Sequence, residues 1–219
     1  QQLLLWFNGL CNGTYIELGG LDGVHLSNTF LFSKALGWKG VLIEPSDAYE
    51  KLIVNRPDEV ATIRAAVCHE KTTVHFIGAS KHTPVSGIWE FFSDAFRERW
   101  WANKSLDQMD EIQCEPFQAL LDENTPSELN FYDFLSLDIE GAELQVLKTV
   151  PWDKVDIKIL DIEMNHIGEI FDGKAKDLDK LLKKNGYELF RHVAIDHFYV
   201  KKGFEMNRDA RISFNGQSY

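Results

Sequence analysis

The sequence predicts an α/β fold in which a mostly parallel sheet is covered by helices on both faces. Short apolar segments typical of strands alternate with helical patterns along most of the 219 residues, and this alternation is characteristic of parallel sheets. The last two predicted strands follow each other without a helix between them. That arrangement indicates an antiparallel hairpin at one edge of the sheet.

The predicted elements are bounded by residues that favour strand and helix ends. The first strand, at residues 14–18, ends in Gly19-Gly20. It is followed by a helix (27–36) that ends before Gly37, a strand (40–44) that ends at Pro45, a helix (46–55) and two strands (61–67 and 72–77). The second half predicts a strand (134–138), a helix (142–149), a strand (157–163), a helix (177–185) and two final strands (187–191 and 197–201).

Residues 78–130 interrupt the alternation and are rich in aromatic side chains. A gap of this length is rarely structureless, so we predict a partly helical insertion beside the strand ends. Two interpretations remain open for its aromatic residues, a small separate core or a lid that walls a substrate site. The six aromatic residues are Trp89, Phe91, Phe92, Phe96, Trp100 and Trp101.

Charge and composition exclude several classes of protein. The net charge is −11, whereas nucleic-acid binders normally present a basic face to the phosphates. We therefore expect no nucleic-acid partner. The sequence holds no apolar run long enough to span a membrane.

The cysteines and the first residues bear on the compartment. Cys11, Cys68 and Cys114 are odd in number and form no CxxC motif, so neither a disulfide framework nor a zinc site is predicted. The sequence begins without Met and lacks the features of a secretory leader. We therefore expect a soluble domain, with the cytoplasm slightly favoured and any native targeting segment missing from this sequence.

The loop after the first strand and the acid after the second predict an adenosine cofactor. Residues 17–23 form an acidic glycine loop, and Glu44 follows 27 residues after Glu17, where a carboxylate can accept hydrogen bonds from ribose hydroxyls. A pyrophosphate-binding loop requires glycine where Leu21 stands, and the carboxylates of Glu17 and Asp22 would repel a pyrophosphate. These acids suit the sulfonium and ammonium of S-adenosylmethionine instead, and they disfavour a nicotinamide cofactor.

Five stretches of the chain resemble the FkbM-type methyltransferase family, over about residues 13–202. They are 17–29, 37–45, Asn55-Arg56, 134–147 and 185–189. The resemblance implies a Rossmann-like class I methyltransferase fold with a seven-stranded sheet in the order 3-2-1-4-5-7-6, the last strand being antiparallel. We accordingly treat residues 1–219 as one methyltransferase domain. Its parts are a cofactor-binding half (13–77), the insertion or lid (78–130), a second half (131–202) and a tail (203–219).

The same resemblance implies positions for the cofactor. Glu44 would bind the ribose hydroxyls, and Asp138, at the end of the fourth main strand, would face the methyl donor. Leu21 departs from the family, in which Asn is frequent at that position, and a polar contact to the cofactor is lost there. The full set of expected S-adenosylmethionine contacts is Glu17, Gly19, Gly20, Asp22, Gly23, Ser27, Asn28, Glu44 and Asp138.

Members of this family mostly methylate hydroxyl oxygens, so we expect O-methylation of a small-molecule or carbohydrate acceptor. Removing the hydroxyl proton requires a base, and the expected catalytic residues are Asp138, Glu163 and His166, with His82 as a further candidate base. Asp138, Glu163 and Asn165 are also candidate Mg²⁺ ligands, although we expect no metal. The alternatives are a catechol-type metal-dependent O-methyltransferase and a methyltransferase-like scaffold domain without activity.

Overall fold

The computed structural model describes residues 2–78, 86–164 and 172–205 and two short strands near the C-terminus. Its helices are α1 (Gln2–Trp6), α2 (Phe30–Leu36), α3 (Tyr49–Asn55), α4 (Asp94–Trp101), α5 (Phe117–Asn124), α6 (Glu143–Thr149) and α7 (Asp172–Lys184). Its strands are β1 (Thr14–Leu18), β2 (Lys39–Ile43), β3 (Ala61–Ile63), β4 (Ala66–Val67), β5 (Thr72–Ile77), β6 (Gly87–Ile88), β7 (Asp110–Glu115), β8 (Phe131–Leu137), β9 (Asp156–Glu163), β10 (Tyr187–Val193), β11 (Asp196–Lys201), β12 (Ser213–Phe214) and β13 (Gln217–Ser218).

Seven strands form the main sheet in the order β3-β2-β1-β8-β9-β11-β10. Neighbours from β3 to β9 are parallel, whereas β11 is antiparallel to both β9 and β10. The α/β class, the mostly parallel sheet and the antiparallel edge hairpin are therefore confirmed. The strand numbers differ from those expected because the chain places a second sheet between β3 and β8. Counted within the main sheet, the observed order reads 3-2-1-4-5-7-6.

Helices cover both faces of the main sheet because successive residues of each strand point to opposite sides. On one face, Ile16, Leu135 and Leu160 pack in a common core with side chains of α5, α6 and α7. On the other face, Tyr15 and Phe134 pack with side chains of α1, α2 and α3. Burial of each large apolar side chain contributes roughly 1.5–3 kcal/mol to folding, so these two layers hold the strand ends in place.

Helix α2 begins three residues later than the sequence pattern predicts. Ser27 and Asn28, the first two residues of the predicted helix, donate hydrogen bonds to Glu17 and so remain outside the helix. The predicted C-terminal boundary is confirmed, because Gly37 adopts a left-handed conformation with φ of 69° and donates its N–H to the carbonyl of Phe32.

The predicted strand at 61–67 is divided between two sheets. Its first part, β3, joins the main sheet, and its last two residues, β4, join a four-stranded sheet in the order β4-β7-β5-β6. Strand β7 was not predicted, since its sequence Asp110–Glu115 is largely polar and exposed. The expectation of a partly helical insertion is met by α4 and α5.

The prediction that the cysteines form no disulfide was wrong. Cys68 and Cys114 form a disulfide between the end of β4 and β7, and both residues are buried. Sequence spacing failed here because 46 residues separate the two cysteines, and only the pairing of β4 with β7 brings them together. Cys11 is exposed and free.

Candidate active site

A cavity of about 260 Å³ opens at the carboxyl ends of the central strands. It lies where β1 stands between β2 and β8, the point at which the strand order reverses and ligands of such sheets bind. Glu44 and Asp138 both line it. The second sheet supplies the opposite wall through Phe76 and Ile88.

Gly19 allows the ends of β1 and β8 to approach closely. Its φ is 84°, and a Cβ at this position would lie 2.0 Å from the carbonyl oxygen of Asp138. A side chain therefore cannot be accommodated without moving one strand end. Gly20 and Gly23 serve packing, since a Cβ would lie 3.1 Å from Leu52 and 2.6 Å from Arg56, respectively.

Glu44 presents its carboxylate to the cavity in a fixed orientation. The residue is 3% exposed. One oxygen accepts a hydrogen bond of 2.8 Å from the backbone N–H of Leu21, and the other accepts one of 2.8 Å from Ser46. Each carboxylate oxygen retains a second acceptor position, so the group can still bind a vicinal diol.

Glu17 lies beneath the loop and does not line the cavity. Its carboxylate accepts hydrogen bonds from the hydroxyl of Ser27 (2.9 Å), the N–H of Asn28 (2.7 Å) and the hydroxyl of Thr29. Burial raises the pKa of Glu17, and these hydrogen bonds oppose that rise. The structure thus gives Glu17 and Ser27 a role in shaping the loop.

Two other predicted cofactor residues occupy the outer part of the loop. The carboxylate of Asp22 accepts hydrogen bonds from the N–H groups of His25 (2.7 Å) and Val24 (3.0 Å). These bonds, the one from His25 above all, lower the pKa of Asp22. The side chain of Asn28 crosses to the neighbouring strand and donates to the hydroxyl of Ser136 at 3.0 Å.

Asn55 and Arg56 hold the loop from the end of α3. Asn55 donates to the carbonyl of Asp22 at 2.8 Å. The fully buried guanidinium of Arg56 donates to the carbonyl of Gly23 at 2.8 Å and forms an ion pair of 2.8 Å with Glu59. Asn55 and Arg56 belong to one of the stretches that resemble the family, but the sequence analysis predicted no role for either residue.

Glu143 organises the second loop of the site. It is 3% exposed, and its carboxylate accepts hydrogen bonds from the N–H groups of Gly141 (2.9 Å) and Ile139 (3.4 Å). Burial raises its pKa to about 7. Glu140, in the same loop, lines the cavity.

The expected catalytic acids Asp138 and Glu163 lie together at the ends of β8 and β9. Burial raises the pKa of Glu163 to about 9, with further contributions from a hydrogen bond to Asp138 and from the charge of Asp138. His166, Asn165 and His82 lie outside the described residues. Within the described parts of the chain, no cluster of three metal-ligating side chains is placed to hold a metal ion.

The structure supports a small separate core in the aromatic insertion, and the lid interpretation of its aromatic residues stays a prediction. Phe92, Phe96 and Trp101 form a separate cluster with Ile77, as expected for a small core. Residues Gly87 and Ile88 of the same insertion line the cavity. The second sheet also keeps Gly87 close to this core, because a Cβ there would lie 2.8 Å from Phe92.

Comparisons with solved structures return distant likenesses. An FkbM methyltransferase from Methylobacillus flagellatus is 14% identical with a TM-score of 0.47, over 86% of this chain and 43% of that protein. A human methyltransferase 10 domain containing protein is 12% identical with a TM-score of 0.41, over 87% and 70% of the two chains. A SAM-dependent methyltransferase from Aquifex aeolicus is 13% identical with a TM-score of 0.38, over 87% and 81%.

A search of curated proteins found no match. The present chain spans less than half of the Methylobacillus protein. In the part of the chain that the structure describes, no helix has the length and apolar character needed to cross a membrane. The model of the methyltransferase FkbM domain matches residues 13–189, and the chain therefore belongs to this family of methyltransferases.

Proposed function

We propose that this protein transfers a methyl group from S-adenosylmethionine to a hydroxyl of a small-molecule or carbohydrate acceptor. The observation that carries the proposal is the carboxylate of Glu44. Glu44 lines the cavity, and its carboxylate is held by the N–H groups of Leu21 and Ser46; each of its oxygens keeps an acceptor position for a hydroxyl of a ribose.

The residues present fit such a cofactor. Gly19 lets the ends of β1 and β8 approach each other closely, because a Cβ there would meet the carbonyl oxygen of Asp138, and both residues line the cavity. The charged side chains that line the cavity, Glu44, Asp138 and Glu140, are all acidic. They suit a ligand with a sulfonium and an ammonium group, whereas they would repel the pyrophosphate of a dinucleotide. When bound, the cofactor supplies an electrophilic methyl group.

Asp138 and Glu163 are the proposed groups that handle the acceptor proton. The raised pKa of Glu163 keeps this side chain protonated at neutral pH, so it donates a hydrogen bond to Asp138. Asp138, which lines the cavity, would accept the proton of the acceptor hydroxyl. A bound S-adenosylmethionine would supply the methyl group, which would pass from its sulfur to the hydroxyl oxygen as the carbon–sulfur bond breaks and S-adenosylhomocysteine is released. Alignment of the acceptor with the donor supplies a large part of the rate enhancement in such displacements. His166 remains a further candidate for this base.

Isothermal titration with S-adenosylhomocysteine tests the proposal. We expect Glu44→Gln to weaken binding by about 10- to 100-fold, because charge-assisted hydrogen bonds contribute about 1.5–3 kcal/mol. The matched control is Glu128→Gln, which alters an exposed glutamate and should leave the affinity unchanged. Absence of binding to the wild-type protein would refute the cofactor assignment and favour the scaffold alternative. Methyl transfer that requires added Mg²⁺ would favour the catechol-type mechanism.

A further inference from the structure

Four carboxyl groups lie together on one face of the main sheet, next to the cavity, and Asp138 is one of them. Ser136 is aligned with Asp161, so two residues further along the strands Asp138 lies beside Glu163. On the other side of β9, Asp196 is paired with Glu163. We call Asp138, Glu163 and Asp196 the acidic row. Asp161 lies beneath it, two residues before Glu163 and on the same face.

Asp161, which lies beneath the acidic row, has a buried oxygen with no hydrogen-bond partner among the described residues. Asp161 is 6% exposed. Its Oδ1 and the Oε2 of Glu163 are buried and accept no hydrogen bond from the described residues. Such orphaned atoms are costly, by about 1–3 kcal/mol each, and their presence in a native site calls for a ligand that satisfies them.

No cation of the described residues is among the charged neighbours that shift the pKa of Asp161, Glu163 or Asp196. For Asp161, Glu163 and Asp196, burial is the first cause of a raised pKa, and every charged neighbour that contributes is another carboxylate. Buried acids elsewhere in the molecule have partners, as Glu59 has Arg56 and Asp133 has the N–H of Thr14. Among the described residues, Asp161, Glu163 and Asp196 are therefore buried acids whose charged neighbours are carboxylates alone.

We propose that the acidic row and Asp161 bind a positively charged amino group of the methyl acceptor, which makes the acceptor an amine-bearing alcohol or an amino sugar. This inference rests on the proposed function. An ammonium group carries three diverging N–H donors, so it can reach separate carboxylates on β8, β9 and β11. A divalent cation would need ligands gathered within about 2.0–2.6 Å, and the described residues hold no such cluster.

The location separates this site from the cofactor. The cavity extends from Asp138 towards Glu44, which follows β2. The acidic row extends from Asp138 in the opposite direction, towards β9 and β11. Asp138 is common to both. An acceptor anchored by its ammonium at Asp161 would thus place a neighbouring hydroxyl beside Asp138.

The test uses the full chain saturated with S-adenosylhomocysteine. Two probes of equal length are compared, one with an ammonium group and the other with a neutral hydroxyl in its place. Ethanolamine, an ammonium at pH 7, and ethylene glycol, its neutral counterpart, are titrated at constant ionic strength, and binding is followed by amide NMR shifts. We expect ethanolamine to bind at least about tenfold more tightly. Asp161→Asn and, separately, Asp196→Asn should each weaken ethanolamine binding by about fivefold or more.

Asp156→Asn is the matched control. This acid lies at the opposite end of β9, where it binds Lys158 and Lys201, and its substitution should leave ethanolamine binding unchanged. Equal affinities for the two probes, or unaltered binding to a folded Asp161→Asn or Asp196→Asn variant, would overturn the proposal. So would Mg²⁺ binding that depends on Asp161 while ethanolamine does not bind.

The two proposals fail in distinguishable ways. If S-adenosylhomocysteine binds and ethanolamine does not, the acceptor class is wrong and the cofactor assignment stands. The probes are also titrated without S-adenosylhomocysteine. Ethanolamine binding that depends on Asp161 in a protein that fails to bind S-adenosylhomocysteine would retain the amine site and refute the methyltransferase function.

Discussion

At the scale of single residues, glutamates that look alike in the sequence have different tasks. Glu17 is buried under three hydrogen bonds from its own loop, Glu44 faces the cavity, and Glu143 holds the loop that carries Glu140. The difference lies in which groups surround each carboxylate. Glu44 therefore lines the cavity, whereas Glu17 holds its own loop in shape.

Gly19→Ala should destabilise the protein more than a backbone effect explains. Gly19 and Gly203 have φ of 84° and 81°, but only at Gly19 would a Cβ meet another atom, the carbonyl oxygen of Asp138. We expect Gly203→Ala to cost about 1–2 kcal/mol through its left-handed backbone and Gly19→Ala to cost distinctly more. Urea unfolding measures both values, and equal losses would argue against close contact of the two strand ends.

Glu143→Gln should change how stability depends on pH. The folded state raises the pKa of Glu143 from 4.5 to about 7, so the folded protein holds its proton more tightly than the unfolded chain. The wild-type free energy of unfolding therefore falls as pH rises from about 4.5 to 7, by at most about 3 kcal/mol from this group. Glutamine keeps the acceptor oxygen without the titration.

The measurement for Glu143 is urea unfolding at pH 5 and at pH 8. We expect Glu143→Gln to match the wild type at the lower pH and to exceed its stability at the higher pH. The exposed control Glu128→Gln should show no such gain. A constant difference between Glu143→Gln and the wild type across this range would contradict the buried, protonated state of Glu143.

At the scale of elements, the end of α3 holds the loop that connects β1 to α2. Arg56 joins Gly23 and Thr29 of the loop to Tyr15 of β1 and to Glu59. Its planar guanidinium reaches these groups simultaneously, which the single ammonium of a lysine cannot do. The segment from β1 to α2 thus takes its shape from a residue on another helix.

Arg56→Met should cost about 3–5 kcal/mol of folding free energy, because it leaves the buried carboxylate of Glu59 without its partner. It should also weaken S-adenosylhomocysteine binding through the loop. The control is Arg64→Met, since Arg64 forms exposed ion pairs with Asp47 and Glu50 that contribute at most about 1 kcal/mol. If the double variant Arg56→Met/Glu59→Gln is no more stable than Arg56→Met, the uncompensated charge is not the cause.

At the scale of the whole molecule, two sheets enclose one cavity. The main sheet supplies the acids at its strand ends, and the smaller sheet supplies the apolar wall formed by Phe76 and Ile88. The Cys68–Cys114 disulfide ties two strands of that smaller sheet. Ligand binding in the cavity should therefore stabilise both sheets together.

S-adenosylhomocysteine at one hundred times its dissociation constant should raise the free energy of unfolding by about 2.7 kcal/mol. NAD⁺ at the same concentration should produce no change, because the acids at the cavity disfavour its pyrophosphate. Thermal unfolding followed by circular dichroism checks both expectations. Stabilisation by NAD⁺ alone would instead support the nicotinamide alternative.

Much of the site could be anticipated from short stretches of sequence. The glycine at the end of β1, the acid after β2 and the acid after β8 all line the cavity, because residues at the carboxyl ends of parallel strands meet at one edge of the sheet; their contacts with a cofactor stay predictions. The sequence near Glu17 did not reveal that Ser27, Asn28 and Thr29 fold back onto its carboxylate.

The alternation of strand and helix segments along the sequence was sufficient to predict the α/β class, the mostly parallel sheet and the edge hairpin. Each segment is recognised from the preferences of residues that are close in sequence. The split of 61–67 between two sheets, the Cys68–Cys114 pair and the place of Asp196 beside Glu163 depend on contacts between distant segments. Such contacts form only when the whole core packs, since strand pairing and burial are properties of the assembled chain. The sequence therefore indicated the class of protein and its cofactor edge, and the folded arrangement revealed the acidic row.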